Sequence, residues 1–196
     1  MFAVAVEPVC CGFTPATIIT GLSEPVATLQ NVWLPDDGHI TGDAITMRAA
    51  LRLSSNRAAV RMLQTISVPT AVSYAEHLGL QNLPAVPSLA LGTGLVTPLE
   101  LTAVYTMFPG AGQIAQPRGV ISVFDASGTQ VLDRPVQRSQ VVAAPVAFQM
   151  VSMLRDVVDR GTGAPARAFG VRGAIGGKTG TTDDYHDAWF VGFSTS

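Results

Sequence analysis

Apolar positions fall at helical spacing from Ala44 through Ile45, Met47, Ala49, Ala50 and Leu53, and this pattern predicts a helix beginning near Ala44. It runs into Ser54-Ser55-Asn56, residues whose short polar side chains compete for backbone hydrogen bonds and favour caps and turns. A second stripe, Ala59, Met62, Leu63 and Ile66, follows the i, i+3, i+4, i+7 pattern and is expected to stop at Pro69. Two helices therefore abut at a polar break, a place from which short side chains can project into a cleft.

The segment before this pair, residues 14–42, is dense in Pro, Gly, Asp and Thr and reads as loop, with Trp33-Leu34-Pro35-Asp36-Asp37-Gly38 as a turn cluster. After it, Thr97-Pro98-Leu99-Glu100 is a capping box with proline at the first helical position. The helix it opens is expected to reach about Phe108 and end at Pro109-Gly110. Gly119–Phe124 and Thr129–Leu132 read as a hairpin around Asp125-Ala126-Ser127-Gly128. Pro145 suits a first helical turn, and Ala147, Met150, Val151, Leu154, Val157 and Val158 continue a long stripe to Gly161. From Arg172 to Phe193 the pattern changes to two strands, joined by a turn at Asp183-Asp184-Tyr185-His186-Asp187. Helices followed by antiparallel strands predict an α+β fold. No repeat, low-complexity tract or flexible linker divides the chain, so residues 1–196 read as a single partial domain.

Composition narrows the function classes. The hydrophobic fraction of 47% supplies a core, and charged residues make up only 13%. A net charge of −2 gives no electrostatic footprint for nucleic acid or an anionic membrane surface. Met1–Val6 is apolar, but it is too short to span a bilayer, and it lacks the basic flank of a secretory signal. Cys10 and Cys11 are adjacent, a spacing that does not naturally give disulfide geometry, so both are expected as buried thiols. His39, His77 and His186 have no metal-ligand spacing, and neither a metal nor a cofactor is expected. His186 reads as a solvated turn residue. Lys178 is the only lysine in the chain.

Acyl transfer from an amide needs a nucleophile, a proton acceptor and donors aimed at the oxyanion. Lys178-Thr179-Gly180 on a strand offers a positive field, a hydroxyl for a carboxylate, and a backbone that a ligand can approach. Ser54 and Asn56 at the helix break offer a second hydroxyl and an amide for a peptide backbone. Alone, each motif is weak. Lys-Thr-Gly arises by chance in about one chain in forty of this length. Ser54 and Asn56 by themselves read as a helix cap, and Lys178 by itself as a solvated strand lysine.

Three stretches in order carry more weight. Residues 44–63, containing Ser54-Ser55-Asn56, resemble the Ser-x-Asn helix pair of penicillin-binding transpeptidases. Residues 86–107, with Pro87-Ser88-Leu89-Ala90-Leu91-Gly92 and Val96-Thr97-Pro98-Leu99-Glu100-Leu101, are similar to the stretch that follows it in the bifunctional, class A members. Residues 177–193 resemble the family's Lys-Thr-Gly strand and its successor. The likeness covers about residues 12–193. It implies a partial penicillin-binding transpeptidase/β-lactamase-like fold, with helices packed on an incomplete antiparallel sheet.

The resemblance also implies roles. Ser54 relays protons in the cleft, Asn56 holds the acyl-donor peptide, and Lys178 and Thr179 shape the field and the carboxylate site. Gly180 permits close approach, and Thr181 gives a hydroxyl to the carboxylate and an N–H to the oxyanion hole. One departure is decisive: the family's nucleophile lies in Ser-x-x-Lys, and here the residue three before the only lysine is Ile175. Residues 1–11 stand where that helix belongs, and Pro8 suits a helix interior poorly.

The chain is thus expected to be a truncated piece of a serine D-Ala-D-Ala transpeptidase, inactive for want of its serine. Its expected partners are peptidoglycan stem peptide and β-lactams. The implied parent is a membrane-anchored, cell-wall enzyme with a glycosyltransferase domain, working on the extracytoplasmic face of a bacterial inner membrane. A β-lactamase-related hydrolase and a non-catalytic muropeptide or β-lactam binding module are the alternatives. A further one makes Ser54 the nucleophile, which requires Lys178 within hydrogen-bond reach. Unpaired edges at the Lys-Thr-Gly sheet predict a poorly stable or aggregating chain.

Overall fold

The computed structural model describes residues 2–7, 11–27, 32–37, 40–181 and 188–194. Cys10, Gly38, His39, Thr182 and the turn from Asp183 to Asp187, His186 included, lie outside the described residues. The chain opens with α1 (Phe2–Val6), β1 (Ile18–Thr20), β2 (Val26–Ala27), β3 (Val32–Trp33) and β4 (Ala44–Thr46). The helices α2 (Met47–Leu53), α3 (Asn56–Ile66) and α4 (Val68–His77) follow, then a 3₁₀ turn (Pro87–Leu91) and α5 (Pro98–Tyr105). Four short strands come next: β5 (Gln113–Ala115), β6 (Ser122–Phe124), β7 (Gln130–Asp133) and β8 (Arg138–Gln140). The chain closes with α6 (Ala144–Arg160), α7 (Pro165–Ala168), β9 (Ile175–Thr181) and β10 (Ala188–Ser194). Every described strand pair is antiparallel and two-stranded: β1–β4, β2–β3, β5–β8, β6–β7 and β9–β10.

The centre of the fold is α6. Pro145 lies in its first turn, where the missing N–H costs nothing. One stripe of the helix buries Val146, Ala147, Met150, Met153, Leu154, Val157 and Val158. Against it pack α1, α2 and β9, and the joint core takes in Met47, Ala50 and Leu51 from α2 and Met62, Leu63 and Ile66 from α3. Side chains of this size contribute about 1.5–3 kcal/mol each on full burial, so α6 fixes the position of both α2 and β9. The N-terminal α1 adds Ala3, Ala5 and Val6 to the same core.

Several expectations change. Ala44–Thr46 is strand, because Ile45 and Thr46 pair with Ile19 and Ile18, and the helix starts one residue after Thr46, whose hydroxyl accepts from Ala49 N–H. The second helix stops at Ile66, before Pro69. Ser67, with φ 70°, makes the break, and Pro69 sits in the first turn of a further helix, α4. The capping box of Thr97 and Glu100 is present with both of its reciprocal hydrogen bonds, but α5 ends at Tyr105 and the chain continues as turns. The hairpin around residues 125–128 and the strand pair near the C-terminus are both present. Cys11 is disulfide-bonded rather than a free thiol.

Candidate active site

Ser54 closes α2 in the left-handed region, with φ 58° and ψ 45°. A serine there is strained, since Cβ crowds the following carbonyl. The turn is held because Ser54 N–H donates to Leu51 O at 3.3 Å and Ser55 N–H to Ala50 O at 2.9 Å. Reversing the chain at Ser54 lets α3 start two residues later and leaves Ser54 at the junction of the two helices.

Asp37 secures the start of α3. It is buried, and its carboxylate accepts from Ser55 Oγ at 2.5 Å, Asn56 N–H at 2.7 Å and Arg57 N–H at 3.4 Å. A carboxylate at a helix N-terminus satisfies orphan N–H groups and complements the helix dipole. Ser55, also buried, caps α3 by accepting from Ala58 N–H at 3.1 Å. Asn56 Nδ2 donates to Asp36 O at 2.9 Å, which orients the amide.

The facing wall is β9. Lys178 Nζ donates to Ser54 Oγ at 2.8 Å and to Thr179 O at 2.8 Å. Burial lowers the Lys178 pKa from 10.5 to about 8, because the charged ammonium has lost much of its water. The backbone of β9 lies close to β10 through glycine: a Cβ on Gly177 would sit 2.4 Å from the Phe190 ring and 2.7 Å from Val191 O. At Gly180 an added Cβ would meet nothing within 4 Å. Protein packing therefore does not demand glycine at that position, and its open face is turned to space a ligand could use. Thr181, beside it, is exposed and stands opposite Ala188.

A third wall was not read from the sequence. The loop after α6 carries Thr162, whose Oγ1 lies 2.7 Å from Thr179 Oγ1 and whose N–H donates to Arg52 O at 3.2 Å. Gly161 is required here, since a Cβ would meet Arg52 O at 2.4 Å. Thr162 thus ties β9 to α2 two residues before Ser54. Of the predicted site residues, Ser54, Lys178 and Thr179 are joined directly through this network. Asn56 belongs to the Asp36–Asp37 cap, and Gly180 and Thr181 continue along the strand. A cavity of about 1160 Å³, lined in part by Glu7, Tyr74, His77 and Gln140, contains none of these residues.

With a half-buried lysine on a serine hydroxyl, a second hydroxyl pair beside it and an open strand face beyond, this cleft can move a proton at a hydroxyl and receive a carboxylate. The family model described as the penicillin binding protein transpeptidase domain matches residues 24–196. The penicillin-binding protein 1A of Aquifex aeolicus is 41% identical over 187 residues, which cover 93% of this chain and 25% of that protein. Its Neisseria meningitidis counterpart is 38% identical over 173 residues, 84% of this chain and 21% of that protein. The chain therefore spans a quarter or less of the length of these relatives.

In fold, the chain is similar to penicillin-binding protein 1A from Haemophilus influenzae, with TM-score 0.84 and 21% identity, over 98% of this chain and 34% of that one. It is also similar to penicillin-binding protein A from M. tuberculosis, solved as an imipenem acyl-enzyme complex, with TM-score 0.80 and 18% identity, over 98% of this chain and 49% of that one. By sequence and by fold, the chain belongs to the penicillin-binding protein transpeptidase domain family.

Proposed function

We propose that this chain forms the Ser-x-Asn and Lys-Thr-Gly walls of a serine D,D-transpeptidase cleft that receives β-lactams and the carboxylate end of peptidoglycan stem peptides. The observation that carries the reading is the 2.8 Å hydrogen bond from Lys178 Nζ to Ser54 Oγ, made between residues 124 apart in sequence. A lone strand lysine would keep its water, whereas this one is drawn into contact with the other motif. Lys178 supplies positive potential, and Thr179 and Thr181 offer hydroxyls to a carboxylate. Asn56 can present its remaining amide capacity to a peptide backbone. Thr181 N–H is the proposed oxyanion donor. In the parent enzyme, Ser54 relays the proton between nucleophile and leaving amine. Such an enzyme crosslinks cell wall on the extracytoplasmic side of a bacterial membrane, and the relatives named penicillin-binding protein 1A support that setting.

A single lysine makes the test direct. In protein labelled with ¹³C-lysine, the ε-carbon of Lys178 gives one resonance. Addition of benzylpenicillin or a D-Ala-D-Ala-terminated peptide at pH 6 is expected to shift that resonance saturably, and Thr179→Val to weaken the effect. A resonance that stays unmoved at millimolar ligand sinks the reading.

A further inference from the structure

We propose that the cavity between α1, α4 and the β8–α6 junction is a binding site of its own, for a ligand that carries a primary ammonium on a short apolar body. The cavity measures about 1160 Å³ and shares no residue with the cleft described above. A space of this order holds a small molecule, with apolar walls for its body and a few polar groups to fix its orientation.

One wall is a face of α4. Thr70, Ser73, Tyr74 and His77 line the cavity at i, i+3, i+4 and i+7, the spacing that gathers side chains on one side of a helix. Ile66 and Val142 are buried and, with Val141, supply apolar surface. Glu7, just after α1, Thr65 on α3 and Gln140 on β8 add polar groups.

Those polar groups share a bias: donors are used up and acceptors are left over. Tyr74 O–H donates to Glu7 Oε1 at 3.4 Å. Burial, together with the Glu7 charge, pushes the Tyr74 pKa up, so the phenol keeps its proton and stays a donor to Glu7. Gln140 Nε2 donates to Ala111 O at 3.0 Å and to Val142 O at 2.6 Å, which occupies both amide hydrogens and leaves Oε1 as an acceptor. Thr65 Oγ1 donates to Arg61 O at 3.1 Å and keeps its lone pairs. Ser73 and His77, both exposed, hold the groups that can still serve either way.

Glu7 selects the charge. Its carboxylate is half-buried, and among the described residues it forms no ion pair. The contact from Tyr74 is long for an O–H···O bond, so most of the accepting capacity of Glu7 is unfilled. Among the described residues no lysine or arginine lines the cavity. An ammonium brings three donors to this set of acceptors, whereas a carboxylate or phosphate would add only further acceptors beside Glu7.

The test is a titration of the 196-residue chain at pH 7.5 with 2-phenylethylammonium, using 2-phenylethanol and 3-phenylpropionate as its neutral and anionic counterparts. The readout is the His77 ring C–H resonance, assigned by its loss in His77→Gln. The ammonium should shift it saturably and bind at least about tenfold more tightly than the alcohol, and the anion should leave it unmoved. Glu7→Gln, checked for folding by circular dichroism, should weaken the ammonium about tenfold. Ser73→Asp adds a carboxylate at an exposed position of the same helix face and should tighten it severalfold. The Lys178 resonance should not respond. Alcohol and ammonium binding equally well, or Glu7→Gln binding unchanged, overturns the site as an ammonium site. A ligand that moves Lys178 and leaves His77 unmoved binds in the cleft, which also overturns it. If Glu7→Gln does not fold, Ser73→Asp decides, and an unchanged affinity there overturns the proposal.

Discussion

Lys178 holds an ammonium group in a place that removes most of its water, and the two hydrogen bonds it donates do not restore its ordinary pKa. A fall from 10.5 to about 8 corresponds to about 3 kcal/mol of unfavourable differential interaction. The sign follows from proton counting. Between pH 8 and 10.5 the unfolded lysine still binds its proton while the folded one has released it, so the free energy of unfolding rises with pH through that window. The cost is present in full below pH 8 and vanishes above about 10.5. Lys178→Met should therefore stabilise the chain at pH 7 by up to about 3 kcal/mol, and the advantage over the parent sequence should disappear by pH 11. Urea unfolding of both proteins across pH 6–11 measures this. Equal stability at pH 7 would mean that the ammonium is well solvated after all. A stabilising change at the residue on which the proposed chemistry depends is what a functional site predicts.

Elements, unlike residues, were legible in proportion to how local their determinants are. The capping box of Thr97 and Glu100 lies within four residues, and the structure shows it complete. The strands 175–181 and 188–194 carry β-branched, aromatic and glycine patterns that stand out from the helical stripes around them. Helix α4 was hidden because Pro69 looks like a stop and in fact occupies a first turn. Ala44–Thr46 fits a helical stripe as well as a strand, and only its pairing with β1 decides the matter. Asp37 and Thr162 could not be found at all from local pattern, because each meets its partner 17 or more residues away.

The Thr162 loop is the element-scale device that joins the two motifs, with its N–H on Arg52 O and its hydroxyl on Thr179. Thr162→Val keeps the shape and removes the hydroxyl, and should cost about 0.5–1.5 kcal/mol of stability. It should also weaken the benzylpenicillin-induced shift of the Lys178 resonance, because Thr179 loses its fixed rotamer. Thr162→Ser should restore both. If Val and Ser behave alike in binding, the hydroxyl pair has no part in positioning the cleft.

At the scale of the molecule, surface is the outstanding quantity. The chain exposes 11262 Å², whereas a compact monomer of 20.5 kDa is expected to expose about 8,900 Å². Part of the excess is apolar and gathered on one strand: Trp189 is 57% and Phe190 50% exposed, both on β10. That strand pairs with β9 alone among the described residues, so its outer row of N–H and C=O groups is open. An uncovered edge with aromatic side chains along it is a template for another strand. An antiparallel partner identical to β10 satisfies those groups as well as any other, so the isolated chain should self-associate. In sedimentation experiments its average mass should climb above 20.5 kDa with concentration, and heating should give a broad or irreversible transition. Ser194→Lys places a charge at an exposed position of the same strand, where lysine disfavours edge pairing. It should lower the association while leaving the Lys178 resonance unchanged. A monodisperse monomer with a sharp, reversible thermal transition would show instead that the β9–β10 pair and α6 protect the edge without further cover.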